Sequence, residues 1–378
     1  MKVLIVYAKA GAGHKRAAEA VFEAFKRKAQ EKDVVLIDCL DYTNPWFKNF
    51  YPNIYIFLVR FLSPVWAAIY YALENRALYA LVKPLRRINN HFFAKRFVQF
   101  LKKERPRVVI STQFFASEVV AALKKKNELN SILISVVTDF GAHTFWESED
   151  VDIFVVASED TKKDLSLRKI PEKKIRVLGI PIEPPLKEFN KTALVKEIGL
   201  KQGLFTVLVV GGGFGVGPIK ELVFSLNELE PEIRDKVQLL VVCSRNKKLL
   251  AQMQGVAVEL KLNAKIFGFV SELYKMMLAS DVIITKSGGL TTSESLASGL
   301  PMIIISPIPG QESKNCDLLV KNGAAIRIDR PREVKKAVEE LLKTPDKLEK
   351  MRKNAFRLAH PNSSDDIVNL ANNYTEGR

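Results

Sequence analysis

His14 follows Gly11, Ala12 and Gly13, where the apolar run VLIVY gives way to a charged stretch. A neutral imidazole at the start of a helix can take a proton from an alcohol near pH 7 with little tuning. The same residue can also simply cap or pack the turn. Much later, residues 286–315 read KSGGLTTSESLASGLPMIIISPIPGQESKN. Ser287, Gly288 and Gly289 would bring backbone N–H groups to a diphosphate at a helix start, and Glu294, about one turn on, can accept from both ribose hydroxyls. Gln311, Glu312 and Asn315 make a second polar loop. Gln311 and Asn315 share a face if a helix begins there, offering amides to sugar hydroxyls. The combination suits a nucleotide-sugar pocket; the alternative is a strand and helix of any α/β sheet with a Ser/Thr-rich start.

Two further clusters sit at the ends of apolar runs. Gly211, Gly212, Gly213, Phe214, Gly215, Val216, Gly217 and Pro218 follow TVLVV and outline a phosphate cradle, or a tight turn. Their spacing matches neither G-x-G-x-x-G nor G-x-x-x-x-G-K-[ST]. Thr138, Asp139, Phe140, His143 and Trp146 close the run ILISVVT. There Asp139 or His143 serves either as a second polar group of a site or as a loop cap. Asp150 and Asp152 form a D-x-D, but their place before the run DIFVV favours surface charge. No zinc pattern, G-x-S-x-G or Cys-His pairing stands out.

The elements that must position these groups follow a repeating grammar. VLIVY, VVLID, VVIST, ILISVVT and DIFVV, then FTVLVV, QLLVV, KIFGF, DVIIT and MIIIS, alternate with amphipathic stretches. This predicts two parallel α/β units, and 378 residues exceed what one core usually serves. Pro181, Pro184 and Pro185 mark the break, so domains are expected over 1–182 and 183–361, with 362–378 a last helix able to pack back on the first domain. Cys39, Cys243 and Cys316 are scattered, as in a reducing cytosol. The first residues read as a strand rather than a signal segment.

Residues 42–107 break the rhythm as a long aromatic and basic insertion. Lys and Arg outnumber Asp and Glu 58 to 42, for a net charge of +16, and between Lys48 and Arg107 only Glu74 and Glu104 are acidic. A negatively charged partner is expected, and nucleic acid and an anionic membrane both fit. Arg60, Trp66, Arg86, Arg87, Lys95 and Arg96 are the candidate membrane contacts. The alternative is a buried helical hairpin whose aromatic stripe is core. Residues 54–73 come nearest to a transmembrane span, but Arg60 and Pro64 interrupt them.

Taken together, GAGHKRAAEA (11–20), TDFGAHTFW (138–146), VLGIPIEP (177–184), the glycine loop (211–217), KSGGLTTSES and PGQESKN resemble glycosyltransferases that make glycolipids from diacylglycerol. These are the plant-type monogalactosyldiacylglycerol synthases and the bacterial processive diacylglycerol glucosyltransferases. The resemblance runs over nearly the whole chain. It implies a GT-B fold, two Rossmann-like domains facing across a cleft, with acceptor on the first and UDP-sugar on the second. It implies inversion, with His14 as base toward the lipid hydroxyl. Gly213, Gly215, Ser287, Gly288 and Gly289 would stabilise the diphosphate in place of a metal. Glu294 would hold the ribose, the backbone of Gly268, Phe269 and Val270 the uracil, and Gln311, Glu312 and Asn315 the sugar or phosphate, with Asn246 retained nearby. Gly13, Asp139, His143 and Trp146 match an acceptor-side motif without individual roles.

The implied partners are UDP-glucose or UDP-galactose, diacylglycerol and an anionic membrane, with no metal cofactor and no nucleic acid. The implied location is peripheral, on the inner face of the cell membrane. Two positions depart from the pattern. Lys9 stands where plant enzymes carry an acidic residue, so a carboxylate partner for His14 must come from elsewhere, and Ser244 replaces a glycine. The rival readings are transfer of N-acetylglucosamine to an undecaprenyl-linked wall precursor, a UDP-sugar epimerase, and a basic nucleic-acid-binding protein.

Overall fold

Runs of Val, Ile and Leu bury both faces of a parallel strand, and in the computed structural model twelve strands among the described residues, most of them such runs, form two sheets. It describes the chain except residues 1, 10, 29–32, 149, 186–187, 213–216 and 376–378 and the side chains of residues 12, 55, 60, 87–89 and 91. The first sheet contains β1 (Val3–Tyr7), β2 (Val34–Asp38), β3 (Val108–Ser111), β4 (Ile132–Val136), β5 (Ile153–Val156) and β6 (Ile175–Val177), in the order β2-β1-β3-β4-β5-β6. The second contains β7 (Phe205–Val210), β8 (Val237–Val242), β9 (Asn263–Phe267), β10 (Val282–Thr285), β11 (Met302–Ile305) and β12 (Ala325–Ile328), in the order β12-β11-β10-β7-β8-β9. All pairings are parallel, including Val3↔Val108 and Val207↔Val282.

The two-residue period of a strand divides the first sheet's side chains between two cores. In the first sheet Val3, Ile5, Val108, Ile110, Ile134 and Val136 meet Ala18, Val21 and Phe25 of α1 (Ala12–Arg27). Ile367, Val368 and Ala371 of the last helix, Ser363–Thr375, join the same core. Leu4, Val6, Val109 and Leu133 face the other way, toward Phe97, Leu101, Phe115 and Val119.

Contacts divide the chain into two compact units. One comprises Met1–Glu183, Ile308–Lys314 and His360–Arg378; the other comprises Pro184–Pro307 and Asn315–Ala359. The last helix therefore belongs to the first unit, where Arg27 pairs with Asp365 at 3.0 Å and Ser363 Oγ donates to the Ile180 carbonyl at 2.9 Å.

The insertion between β2 and β3 folds as α2 (Pro45–Phe61), α3 (Ser63–Glu74), α4 (Arg76–Phe93) and α5 (Lys95–Glu104). Asn44 caps α2 through the Trp46 N–H, and Asn75 caps α4 through Ala77 and Leu78. Phe47 faces the core, stacking on Phe93 at 4.5 Å. The opposite stripe of α2, namely Trp46, Phe50, Ile54, Phe57 and Phe61, is exposed at helical spacing, as are Leu78, Leu81, Leu85 and Phe92 of α4. The insertion's aromatics therefore divide: Phe47, Tyr70 and Tyr79 are buried, while the α2 stripe is exposed. Among the described residues no single helix is long and apolar enough to cross a membrane, and α2 and α3 meet at a 108° bend.

Candidate functional site

Each sheet reverses its strand order once, and ligand sites of open α/β sheets lie at the carboxyl ends of the strands flanking that point. In the first sheet those strands are β1 and β3. β1 runs into Gly11, whose φ of +134° only glycine adopts readily, and α1 begins with no side-chain cap. A Cβ at Gly13 would meet nothing within 4 Å, so space lies open beside the helix start.

His14 Nδ1 lies 2.8 Å from the Thr112 carbonyl, just past β3, and 2.9 Å from Thr138 Oγ1, just past β4. Thr112 Oγ1 in turn donates to the His14 carbonyl at 2.9 Å. A carbonyl only accepts, so Nδ1 carries the proton and the Nε2 lone pair is left as the basic site. Burial lowers the ring's pKa to about 4, the hydrogen bond to Thr112 opposing the shift. The partners of Nδ1 are thus a carbonyl and a hydroxyl where a carboxylate was expected. Lys9 is exposed, and its backbone N–H reaches Asp38 at 3.4 Å.

The TDFGAHTFW motif resolves into separate roles. His143 is buried between Tyr70 and Phe145, with ring centroids 4.3 and 4.2 Å away. Its Nδ1 accepts from the Phe145 N–H at 3.2 Å, so Nε2–H donates to the Tyr70 carbonyl at 3.1 Å. Both nitrogens are engaged, and burial lowers its pKa to about 4. His143 is the loop cap, and Trp146 is core, edge-on to Phe114. Of the two readings offered by the motif, the contacts of His143 are those of a loop cap, and both side chains are buried. Asp139 stays half-buried next to Thr138. In the D-x-D, Asp152 is tied to Lys124 and to the Leu133 N–H. Among the described residues no cluster of His, Cys, Asp and Glu could hold a metal ion.

In the second sheet β7 and β10 flank the reversal, so the glycine loop and the Lys286–Gly288 turn leave neighbouring strands. Gly213 and Gly215 lie outside the described residues; Gly217, beyond them, packs near Lys286. Gly288 precedes the helix Gly289–Ala297, and no side chain caps the first backbone N–H groups of that helix. Ser293, Ser295 and Ser298 turn their hydroxyls back onto carbonyls four residues earlier, leaving Glu294 half-buried among them.

Asn315 is fully buried, and its Nδ2 donates to the Ser287 carbonyl at 2.8 Å. This bond ties the helix Gln311–Lys321 to the turn at Ser287. Glu312 Oε2 accepts from the Ile308 N–H at 2.8 Å, and Gln311 is half-buried at the first position of the helix Gln311–Lys321. Both belong by contact to the first unit, where Gly310 packs on the Tyr70 ring and Lys314 meets Glu74. Asn246 caps the helix Lys247–Ala257 through Leu249. Ser244 adopts φ +53°, the left-handed region that favours glycine, and its Oγ donates to the Gly212 carbonyl at 2.9 Å. Gly268, Phe269 and Val270 follow β9, with Arg245 over the exposed Phe269 ring at 5.0 Å.

Of the candidate membrane contacts, Lys95 and Arg96 are exposed and Trp66 is half-buried. The side chains of Arg60 and Arg87 lie outside the described residues. Arg86 differs from these: it turns inward to Glu118 at 3.0 Å and lies over the Phe145 ring, so its side chain is largely buried. Thr112 and Thr138 are the residues that sequence reasoning left without a role.

Among solved structures, Acinetobacter baumannii MurG superposes with a TM-score of 0.63 at 16% identity, over 99% of this chain and 100% of that one. An S. aureus MnaA structure with UDP gives 0.63 at 13%, over 100% and 97%. At these identities the likeness concerns the fold alone, and with two parallel sheets it defines the GT-B class.

Sequence relatives go further. A family model for monogalactosyldiacylglycerol (MGDG) synthase matches residues 14–182, and one for the glycosyltransferase family 28 C-terminal domain matches residues 206–367. Monogalactosyldiacylglycerol synthase 2 of Arabidopsis thaliana is 32% identical over 100% of this chain and 81% of its own length. A processive diacylglycerol beta-glucosyltransferase of Bacillus cereus is 31% identical over 99% and 95%. The chain belongs to this family of glycosyltransferases.

Proposed function

We propose that this glycosyltransferase moves a hexose, glucose or galactose, from a UDP-sugar to the hydroxyl of diacylglycerol, with inversion at the anomeric carbon. The observation that carries the reading is the His14 ring, with Nδ1 engaged by Thr112 and Thr138 and Nε2 left as a base. In one displacement the lipid oxygen bonds to the anomeric carbon as the bond to phosphate breaks. The hydroxyl proton passes to Nε2, and the electron pair leaves with UDP. A ring with pKa about 4 is unprotonated throughout the neutral range. Its weak basicity is sufficient where the hydroxyl acidifies as its new bond forms.

On the donor side, Ser287, Gly288 and Gly289 offer backbone N–H groups to the diphosphate, Glu294 takes the ribose, and the segment after β9 takes the uracil. No metal cofactor is invoked, since the helix start supplies positive charge of its own. Membrane docking through α2 and α4 is supported by their exposed apolar stripes, with Lys95 and Arg96 on the following helix suited to anionic lipid. The enzyme would then be peripheral, on a cytosolic membrane face.

Separate reactions with radiolabelled UDP-glucose and UDP-galactose, with diacylglycerol in anionic vesicles, test this reading. A labelled glycolipid from one donor names the sugar. No lipid product from either, in protein that binds UDP, would overturn it in favour of another acceptor.

A further inference from the structure

We propose that Thr138 and the Thr112 carbonyl are positioning groups for His14, holding its ring as the Nδ1–H tautomer and fixing the direction of the Nε2 lone pair. The inference rests on the reading of His14 as the base. Free imidazole carries its proton on either nitrogen and rotates about χ2; here both freedoms are removed by contacts at one atom. The carbonyl at 2.8 Å can only accept, so it demands a proton on Nδ1. The Thr138 hydroxyl at 2.9 Å accepts a second branch of the same N–H.

The grip is reciprocal. Thr112 receives from the ring and donates through Oγ1 to the His14 carbonyl at 2.9 Å, so one residue holds both the side chain and the backbone that carries it. Thr112 is fully buried and Thr138 nearly so, which keeps water from competing. The strand order makes the arrangement possible: Thr112 follows β3 next to β1, and Thr138 follows β4 next to β3.

In a Ser-His-Asp triad a carboxylate orients the imidazole and stabilises the imidazolium. Here two neutral oxygens supply the orientation. They also strengthen their bonds to Nδ1–H as the ring takes up a proton at Nε2, because hydrogen bonds to a charged donor are stronger.

The test compares wild type, Thr138→Val and Thr138→Ser. Steady-state kinetics are run across pH, and ¹⁵N NMR of histidine-labelled protein reads the His14 tautomer, assigned by His14→Gln. The wild-type ring should be Nδ1–H. Thr138→Val, which keeps the shape, should lower kcat about tenfold with donor KM unchanged. It should move the acid limb of kcat to lower pH and raise the Nε2–H population, and Thr138→Ser should restore all three. An Nε2–H tautomer in wild type overturns the proposal. So does wild-type kcat with an unmoved acid limb in the valine variant, or equal impairment in the serine variant, which would point to the methyl group. If His14→Gln keeps full turnover the base reading falls, while the tautomer measurements still decide the positioning claim.

Discussion

Asn315 Nδ2 donates to the Ser287 carbonyl at 2.8 Å from a side chain shut off from solvent. Loss of that donor leaves a buried carbonyl without this bond, at a cost of about 1–3 kcal/mol, and the strain falls on the turn assigned to the diphosphate. Asn315→Leu should therefore weaken UDP binding tenfold or more by calorimetry while the protein stays folded. Wild-type UDP affinity would show that the turn holds its shape unaided.

Ser244 sets two small terms against each other. Its left-handed backbone, at φ +53°, costs about 1 kcal/mol for a non-glycine residue, and its bond to the Gly212 carbonyl returns about as much. Ser244→Gly should leave the urea midpoint nearly unchanged, whereas Ser244→Ala, which keeps the strain and loses the bond, should cost about 1 kcal/mol. Equal midpoints for Ser244→Ala and wild type would remove the bond from the account.

Besides His360, whose pKa burial also lowers, two histidines make stability depend on pH. His14 and His143 sit near pKa 4 in the fold, against about 6.5 unfolded. Between those values the unfolded chain binds more protons, so stability is greatest above pH 6.5 and falls as pH is lowered toward 4. The slope is at most about 1.4 kcal/mol per pH unit for each ring, and smaller for half-buried His14. Asp38 and Asp164, raised by burial, act in the opposite sense nearer pH 4. The urea midpoint should drop between pH 7 and pH 5; a flat profile contradicts the two neutral rings.

The docking surface and the inward arginine predict opposite phenotypes. Phe61, Leu81 and Leu85 are 64%, 77% and 70% exposed. Changing all three to Glu should lower sedimentation with anionic vesicles more than 100-fold, since burying each large apolar chain is worth about 1.5–3 kcal/mol, with little change in folding stability. Arg86→Gln breaks a largely buried pair with Glu118 and should destabilise the fold by about 3–5 kcal/mol. Undiminished vesicle binding by the triple variant would move the membrane surface elsewhere.

The architecture was legible because runs such as VLIVY and MIIIS need burial on both faces, and only a parallel α/β sheet provides it repeatedly. The Gly11 turn was legible for a local reason too: a positive φ asks for glycine. The inward turn of Arg86 was not legible, because a count of charges along 48–107 cannot register Glu118, which reaches it from α6 (Phe114–Lys125) only after packing. The burial of Asn315 and its bond to the Ser287 carbonyl were not legible, because they depend on the fold around that turn. Thr112 carried no signal at all in the sequence; its importance appears once β3 is known to lie beside β1.

The central claim is that His14 takes the acceptor's proton, and turnover of His14→Ala tests it most directly. With diacylglycerol in anionic vesicles and the competent UDP-sugar, the account predicts a loss of about 10²–10⁴-fold in lipid-linked product while UDP affinity stays at the wild-type value. Undiminished transfer by the alanine variant would contradict it.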